Sequence, residues 1–156
     1  MCDNNKLMRK AIQLSVNNID NGGGPFGAVI VKEGKIIAEA ANSVTNDNDP
    51  TAHAEVNAIR KASKLLNTFD LSDCQIYTSC EPCPMCLGAI YWSGIKTVFY
   101  GNDKQDAADI NFDDRFIYEE IERPIAQRNV KFKQLLKDEA IVAFRKWDES
   151  ESKTEY

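Results

Sequence analysis

The chain has 156 residues, of which 43% are hydrophobic and 28% are charged, so it can bury one compact core. No apolar run reaches the roughly 20 residues that a membrane-spanning helix needs, and the first helical stretch lacks a signal-peptide core. Lys and Arg number 19 against 24 Asp and Glu, which gives a net charge of -5 without a basic cluster. This balance disfavours nucleic-acid binders, which must neutralise phosphates, and favours a small uncharged substrate.

The first predicted element is an amphipathic helix over residues 6–20. Its apolar face is expected to carry side chains at helical spacing, namely Met8, Ala11, Ile12, Ser15, Val16 and Ile19. Three glycines end the helix, and the apolar run 26–31 predicts a buried strand. Glu33 and Gly34 predict a hairpin turn, after which residues 35–42 return as a second strand.

The polar residues 43–50 predict a loop, and a helix over residues 52–66 follows the helix-start signal at Asp49 and Pro50. The remaining predicted elements are a strand at 75–79, a helix at 84–93, a strand at 97–100, a helix at 113–121, a strand at 130–134 and a last helix whose apolar face runs from Leu136 to Trp147. This alternation predicts a single α/β domain over residues 1–156. We expect a three-layer α/β/α arrangement, with a mixed sheet of about five strands and helices on both faces.

One cluster of residues predicts a metal site. His53, the only histidine, lies two residues before Glu55, and Cys83 and Cys86 form a CxxC pair later in the chain. Catalytic zinc sites keep three nitrogen or sulfur ligands and leave a fourth position for water. A lone histidine is more often a core residue, but its neighbours here favour a ligand. The sequence therefore predicts one Zn²⁺ per chain, bound by His53, Cys83 and Cys86.

The zinc ligands are expected at two helix N-termini. His53 follows a helix-start signal, and Cys83 precedes Pro84, a residue well suited to a first helical turn. The positive end of each helix dipole favours thiolate over thiol. Glu55 is then the predicted general base and acid, which moves a proton beside the metal without binding it.

The cysteines leave alternatives open. Five are present, and the grouping of Cys80 with Cys83 and Cys86 favours metal binding in a reducing cytoplasm over a secreted disulfide scaffold. Cys80 could close a structural zinc site as a fourth ligand, or indicate an iron–sulfur run, although that normally needs four nearby cysteines. We expect Cys80 to be a packing residue at a strand end, and Cys2 and Cys74 to be free thiols.

Two longer motifs carry a family resemblance. Residues 51–56 (TAHAEV) and 78–92 (TSCEPCPMCLGAIYW) resemble the cytidine-deaminase-like superfamily of zinc deaminases. Within it, the chain is most similar to the small bacterial guanine deaminases, through GPFG at 24–27, FDD at 112–114 and the terminal Tyr156. The resemblance implies a five-stranded sheet between helices, and hydrolysis of guanine to xanthine and ammonia.

The resemblance also implies a homodimer, in which the C-terminal segment, about residues 135–156, crosses over and closes the partner's pocket. It assigns site residues beyond the zinc ligands: Asp114 as a second catalytic residue, and Asn42, Phe26, Ala54, Trp92, Phe112 and Tyr156 as substrate-binding residues. By position alone, Asn42 fits a strand-end turn equally well and Asp114 a helix-start carboxylate. Aromatic residues are more often plain core, and a terminal residue such as Tyr156 is more often frayed.

Three other functions share parts of this pattern. A tRNA adenosine deaminase would have the same motif, but the acidic charge balance and the lack of a basic C-terminal helix argue against it. Deaminases of cytosine, guanosine or another base or nucleoside also fit the zinc motif. A zinc-stabilised interaction domain would not need Glu55 beside the metal. A free purine base as substrate, with no nucleic acid or membrane partner, is the prediction we favour.

Overall fold

The computed structural model describes residues 3–156. Its helices and strands, in chain order, are α1 (Asn4–Asp20), β1 (Gly27–Lys32), β2 (Lys35–Ala41), α2 (Val44–Asp47), α3 (Ala54–Leu66), β3 (Cys74–Cys80), α4 (Pro84–Trp92), β4 (Val98–Asn102), α5 (Lys104–Asp109), α6 (Arg115–Glu122), a 3₁₀ turn (Ile125–Gln127) and α7 (Lys137–Asp148). The chain divides into two compact units, the first ending at Asp114 and the second comprising the remaining residues to Tyr156. No described helix is long and apolar enough to cross a membrane.

The four strands form one mixed sheet in the order β2-β1-β3-β4. β1 is antiparallel to both β2 and β3, whereas β3 and β4 are parallel. The predicted hairpin turn is confirmed: Glu33 and Gly34 both have positive φ, 50° and 77°, as a tight turn between twisted strands requires. The parallel pair is joined through α4, which is the connection that parallel strands need.

Helices cover both faces of the sheet, as predicted. Successive residues of β1 alternate between the faces, because side chains along a strand point to opposite sides. Ala28 and Ile30 pack in the larger core cluster with the buried alanines of α3, whereas Val29 and Val31 pack with Leu7 and other residues under α1. The first unit is therefore a three-layer α/β/α structure, and the predicted fold class is confirmed.

The exposed side of α1 differs from the prediction. Val16 and Ile19, expected on the apolar face, are 53% and 56% exposed. The buried residues of this helix are instead Leu7, Ala11, Ser15 and Asn18. The buried face of α1 is therefore rotated toward Asn18, because the amide of this side chain donates to the backbone carbonyls of Gly24 and Asn42.

The predicted fifth strand at residues 130–134 is wrong. This segment of the second unit has no regular secondary structure, and Val130 and Phe132 are 70% and 57% exposed. The guanidinium of Arg128 lies 5.5 Å over the ring of Phe132, and Lys131 donates to the carbonyl of Arg128. The sequence alternates as a strand does, but the four-stranded sheet of the described residues does not include this segment.

Helix α5 was not predicted from the sequence. Its N-terminus is a capping box. The Asp103 carboxylate accepts from the backbone of Gln105 and Asp106, and the Asp106 side chain accepts from the backbone N–H of Asp103. Of the two predicted free thiols, Cys74 is free and buried, and Cys2 lies outside the described residues.

Candidate metal centre

The predicted zinc ligands lie at the N-termini of two helices. His53 is the residue before α3 and Cys83 the residue before α4, and each has the extended backbone typical of an N-cap. Pro84 occupies the first turn of α4, where its missing N–H and fixed φ suit a helix start. The prediction that two helix N-termini carry the ligands is confirmed.

These helix starts bring the three predicted ligand atoms together. Nδ1 of His53 lies 3.5 Å from Sγ of Cys83 and 3.5 Å from Sγ of Cys86. In a tetrahedral zinc site with ordinary bond lengths, a nitrogen and a sulfur ligand are about 3.6 Å apart. All the ligand atoms lie within 4.8 Å of one another, and no other such group occurs in residues 3–156. The donor set and its spacing therefore fit one Zn²⁺.

The electrostatics of the thiols point to a cation as well. A hydrogen bond from Cys86, supported by His53, lowers the pKa of Cys83 to about 4. The same contact raises the pKa of Cys86, since a second thiolate would lie beside the first, and burial raises it further. Hydrogen bonding to Cys83 raises the pKa of His53. The protein alone favours one thiolate here, and a dication would allow both.

Cys80 lies apart from this group. Its Sγ donates to the carbonyl of Asp103 at 3.7 Å, and burial raises the pKa of the Cys80 thiol to about 11. The metal-binding group in the described residues does not include it. These contacts agree with the expected packing role of Cys80.

Glu55 is a buried carboxyl next to the metal group and is not part of it. The residue lies in the first turn of α3 and is 6% exposed. Burial raises the pKa of Glu55 and the nearby Cys83 raises it further, whereas its contact with Cys86 and the charge of His53 lower it. A carboxyl with a raised pKa beside a metal is suited to take up and release a proton.

A second group of predicted site residues lies around the end of β2. Asn42 is buried, and its backbone N–H donates to the carbonyl of Phe26 at 3.0 Å. Its side-chain Oδ1 accepts from the N–H of Val44 at 3.2 Å, which fixes the orientation of the amide. The rings of Phe26 and Phe112 meet edge to face, with centroids 5.0 Å apart. The structure therefore brings Phe26, Asn42 and Phe112 together.

Asp114 is half-buried and lies directly before α6. Burial raises the pKa of its carboxyl, the charge of Cys83 raises it further, and Lys104 lowers it. Glu81, just before the cysteine motif, pairs with the same Lys104 at 3.2 Å.

The remaining predicted site residues differ in their surroundings. Ala54 is fully buried in the larger core cluster, which leaves only its backbone for a ligand. Trp92 ends α4 and is 72% exposed; nine residues of helix separate it from Cys83 by about 13 Å along the axis. Tyr156 belongs to the second unit and is 80% exposed.

Two asparagines that the sequence analysis did not select have side chains in this region. Asn18 donates to the backbone carbonyls of Asn42 and Gly24, and Asn57 donates to the carbonyls of Ala41 and Ala52. The only signal in the sequence is a polar residue inside a helix with a buried face.

Comparison with known proteins agrees with this geometry. Residues 1–102 match the family described as "Cytidine and deoxycytidylate deaminase zinc-binding region". The chain is 54% identical to the guanine deaminase of Bacillus subtilis (strain 168) over 151 residues, which cover 96% of this chain and 97% of that protein. It is 37% identical to the tRNA-specific adenosine deaminase of Aquifex aeolicus (strain VF5) over 135 residues, 86% of each chain.

Among solved structures, the X-ray structure of guanine deaminase from Bacillus subtilis superposes with a TM-score of 0.95 at 52% identity. The match covers 99% of both chains, so it includes both compact units. The family match contains all three ligands of the metal group and Glu55. On these grounds, the chain belongs to the cytidine and deoxycytidylate deaminase family and carries its zinc-binding region.

Proposed function

We propose that the protein is a guanine deaminase, which hydrolyses guanine to xanthine and ammonia. The observation that carries this proposal is the 54% identity to a guanine deaminase over nearly the whole of both chains. The site supplies the parts that the reaction needs: a three-ligand metal group and a buried carboxyl. Guanine C2 carries an amino group beside a ring C=N bond, which water can attack once it is activated.

His53, Cys83 and Cys86 would hold the zinc, with a fourth position open to solvent. When bound, the ion supplies Lewis-acid chemistry, lowering the pKa of a bound water from 15.7 to about 7. The protein's own residues then have to move protons and orient the base.

Glu55 is the residue we assign to proton movement. Its carboxylate takes a proton from the attacking water and passes it to the ring nitrogen next to C2, and it then carries the proton of the new C2 hydroxyl to the departing amino group. The water oxygen remains on C2, and the C–N bond to the amino group breaks to release ammonia. Burial supports this role because it raises the pKa of Glu55 and so lets the carboxyl hold the proton between the two transfers.

The residues around the end of β2 are proposed to bind the base. Asn42 presents an amide whose orientation is fixed by Val44, and Phe26 and Phe112 offer apolar ring surfaces to a flat purine. Asp114 would contact the amino group on C2 and help to move protons. The backbone of Ala54, at the start of α3, would add an N–H donor.

We further propose that the protein is a cytoplasmic homodimer in which the C-terminal segment, about residues 135–156, is exchanged. α4 has no charged residue, yet its Tyr91 and Trp92 are 77% and 72% exposed. Phe144 of α7 is 73% exposed as well. Exposed apolar surface of this kind supports an interface. In the exchanged dimer, Trp92 and Tyr156 would line the pocket of a neighbouring subunit.

A tRNA adenosine deaminase is the second candidate, because the chain is 37% identical to one over 86% of its length. The net charge of -5 and the pI of about 5.0 oppose binding to a polyanion. A screen for ammonia release separates the candidates, with guanine, guanosine, cytosine, adenine and a tRNA anticodon stem–loop as substrates and zinc content measured beside it. Release from free guanine alone supports the proposal. Release from the stem–loop alone would show that the substrate is tRNA and not guanine. No release from any of these substrates would favour a zinc-stabilised interaction domain.

A further inference from the structure

Asn57 connects the two parts of the site. These are the metal end, which comprises His53, Cys83 and Cys86, and the base-binding end, which comprises Phe26, Asn42 and Phe112. This half-buried residue of α3 has its Nδ2 3.1 Å from the carbonyl of Ala41 and 3.3 Å from the carbonyl of Ala52. Ala41 immediately precedes Asn42, and Ala52 immediately precedes the zinc ligand His53. The same amide also donates to Oγ of Ser43 at 3.0 Å. One side chain thus contacts the backbone beside both functional residues.

Asn18 holds Asn42 from the other side. Its Nδ2 donates to the carbonyls of Asn42 and Gly24, both at 2.7 Å, and its own backbone carbonyl accepts from Gly23. The junction is tightly packed: a Cβ added at Gly23 would lie 2.3 Å from Nδ2 of Asn18 and 2.7 Å from the carbonyl of Asn42. Asn18 therefore ties Asn42 to the glycine loop that leads into Phe26.

The two asparagines reach the end of β2 from opposite faces of the sheet, since α1 covers one face and α3 the other. Backbone bonds from Asn42 to Phe26 and from Ser43 to Ala52 also hold this strand end, and the two asparagines add side-chain bonds to it. Catalytic geometry has to be held within about 0.5 Å, and a displacement of about 1 Å can lower the rate about a hundredfold. The distance between Asn42 and His53 has to be held within the same tolerance.

We propose that Asn18 and Asn57 are positioning residues, which hold Asn42 at a fixed distance from His53 and from Phe26. Asn57 sets the spacing between the metal end and the base-binding end, whereas Asn18 sets the spacing between Asn42 and the pocket wall. The inference rests on the proposed function only in that Asn42 meets the base. A purely structural role would stabilise the fold without acting through Asn42.

The first test measures guanine binding in a double-mutant cycle. Full-length, zinc-loaded protein carries Glu55→Gln, so that the base is bound without turnover, and equilibrium dialysis gives the dissociation constant for radiolabelled guanine. Asn18→Ala and Asn57→Ala are each expected to weaken binding about tenfold, since each leaves acceptors of the strand end unpaired. In the Asn42→Ala background the same changes should weaken binding less than about twofold, because they act through Asn42.

Asn17→Ala on α1 and Lys64→Ala on α3 are the matched controls, since both side chains are exposed on the same helices, and both should bind guanine as the parent does. Equal losses with and without Asn42 would overturn the inference, because the asparagines would then act on the fold in general. If Asn57→Ala does not fold, Asn57→Ser takes its place, since the shorter side chain cannot reach both carbonyls.

The second test does not depend on guanine. Zinc release to an added chelator is followed in the full chain, and Asn57→Ala should accelerate it about tenfold because the backbone beside His53 is freed. Asn18→Ala should release zinc at the parent rate, since the Asn18 amide donates to the carbonyls of Gly24 and Asn42 and not to the segment that carries His53. Equal acceleration in both variants, or in neither, would overturn the inference. Failure of the unmodified protein to release ammonia from guanine would instead overturn the proposed function, whatever the zinc-release rates.

Discussion

The metal end and the proposed base-binding end of the site differ in how their residues are held in place. At the metal end, His53, Cys83 and Cys86 are placed by the first turns of two helices, so a short motif in the sequence specifies the geometry. At the base-binding end, Phe26 and Asn42 lie on loops and strand ends, held by side-chain bonds between residues that are distant in sequence. The comparison teaches that the metal group is encoded locally, whereas the proposed base-binding residues are positioned by tertiary contacts.

The largest effect is expected from a change at the metal end. Cys86→Ala removes a fully buried sulfur ligand, so zinc should be lost and guanine turnover should fall to background. Metal analysis of the purified protein and an ammonia assay measure both. Cys80→Ser is the matched control and should keep one zinc per chain. Loss of zinc in Cys80→Ser together with retention in Cys86→Ala would contradict the ligand assignment.

Glu55→Gln should separate proton transfer from metal binding. The amide has the shape of the carboxyl but cannot carry the proton, so kcat should fall about a thousandfold or more while zinc is retained. Steady-state kinetics beside metal analysis test this. Glu39→Gln, which alters an exposed carboxyl paired with Lys10 at 2.9 Å, should leave kcat unchanged. A Glu55→Gln protein with parental turnover would refute the role.

Asn42→Ala should affect only the base-binding end. Removing the amide that is proposed to hydrogen-bond the base is expected to lower kcat/KM for guanine about thirtyfold, at unchanged zinc content. Asn17→Ala provides the control. If Asn42→Ala instead lost its zinc, the two ends would not be separable, and the comparison above would fail.

The smallest effect is expected at the C-terminus. If Tyr156 makes the proposed aromatic contact with the base, Tyr156→Ala should lower kcat/KM for guanine about fivefold to tenfold, whereas Glu155→Ala beside it should have no effect. Light scattering on both variants shows whether the assembly persists. A monomeric unmodified protein would rule out the exchanged C-terminal segment, and equal kcat/KM in the two variants would rule out the role of Tyr156 in binding the base.

The sequence was sufficient for the fold class and the metal end because their signals are local. Hydrophobic periodicity predicted α1 and α3, and the helix-start residues placed His53 and Cys83 correctly. It failed at residues 130–134, where alternation suggested a strand but carries no information about a pairing partner.

The base-binding end needed the family resemblance, because nothing in a single strand-end Asn42 distinguishes substrate binding from turn formation. Asn18 was missed for a related reason. Periodicity placed Val16 and Ile19 on the buried side of α1, whereas the buried stripe of the folded chain includes Asn18. Its role depends on carbonyls of Gly24 and Asn42, and no local pattern reports such contacts.

The most direct test of the account is zinc K-edge absorption spectroscopy of the zinc-loaded protein, since everything depends on a metal with an open position. The account predicts one nitrogen and two sulfur neighbours from His53, Cys83 and Cys86, with the fourth position filled from solvent. A third sulfur neighbour that disappears in Cys80→Ser would show a site closed by protein, and that result would contradict hydrolysis at this metal.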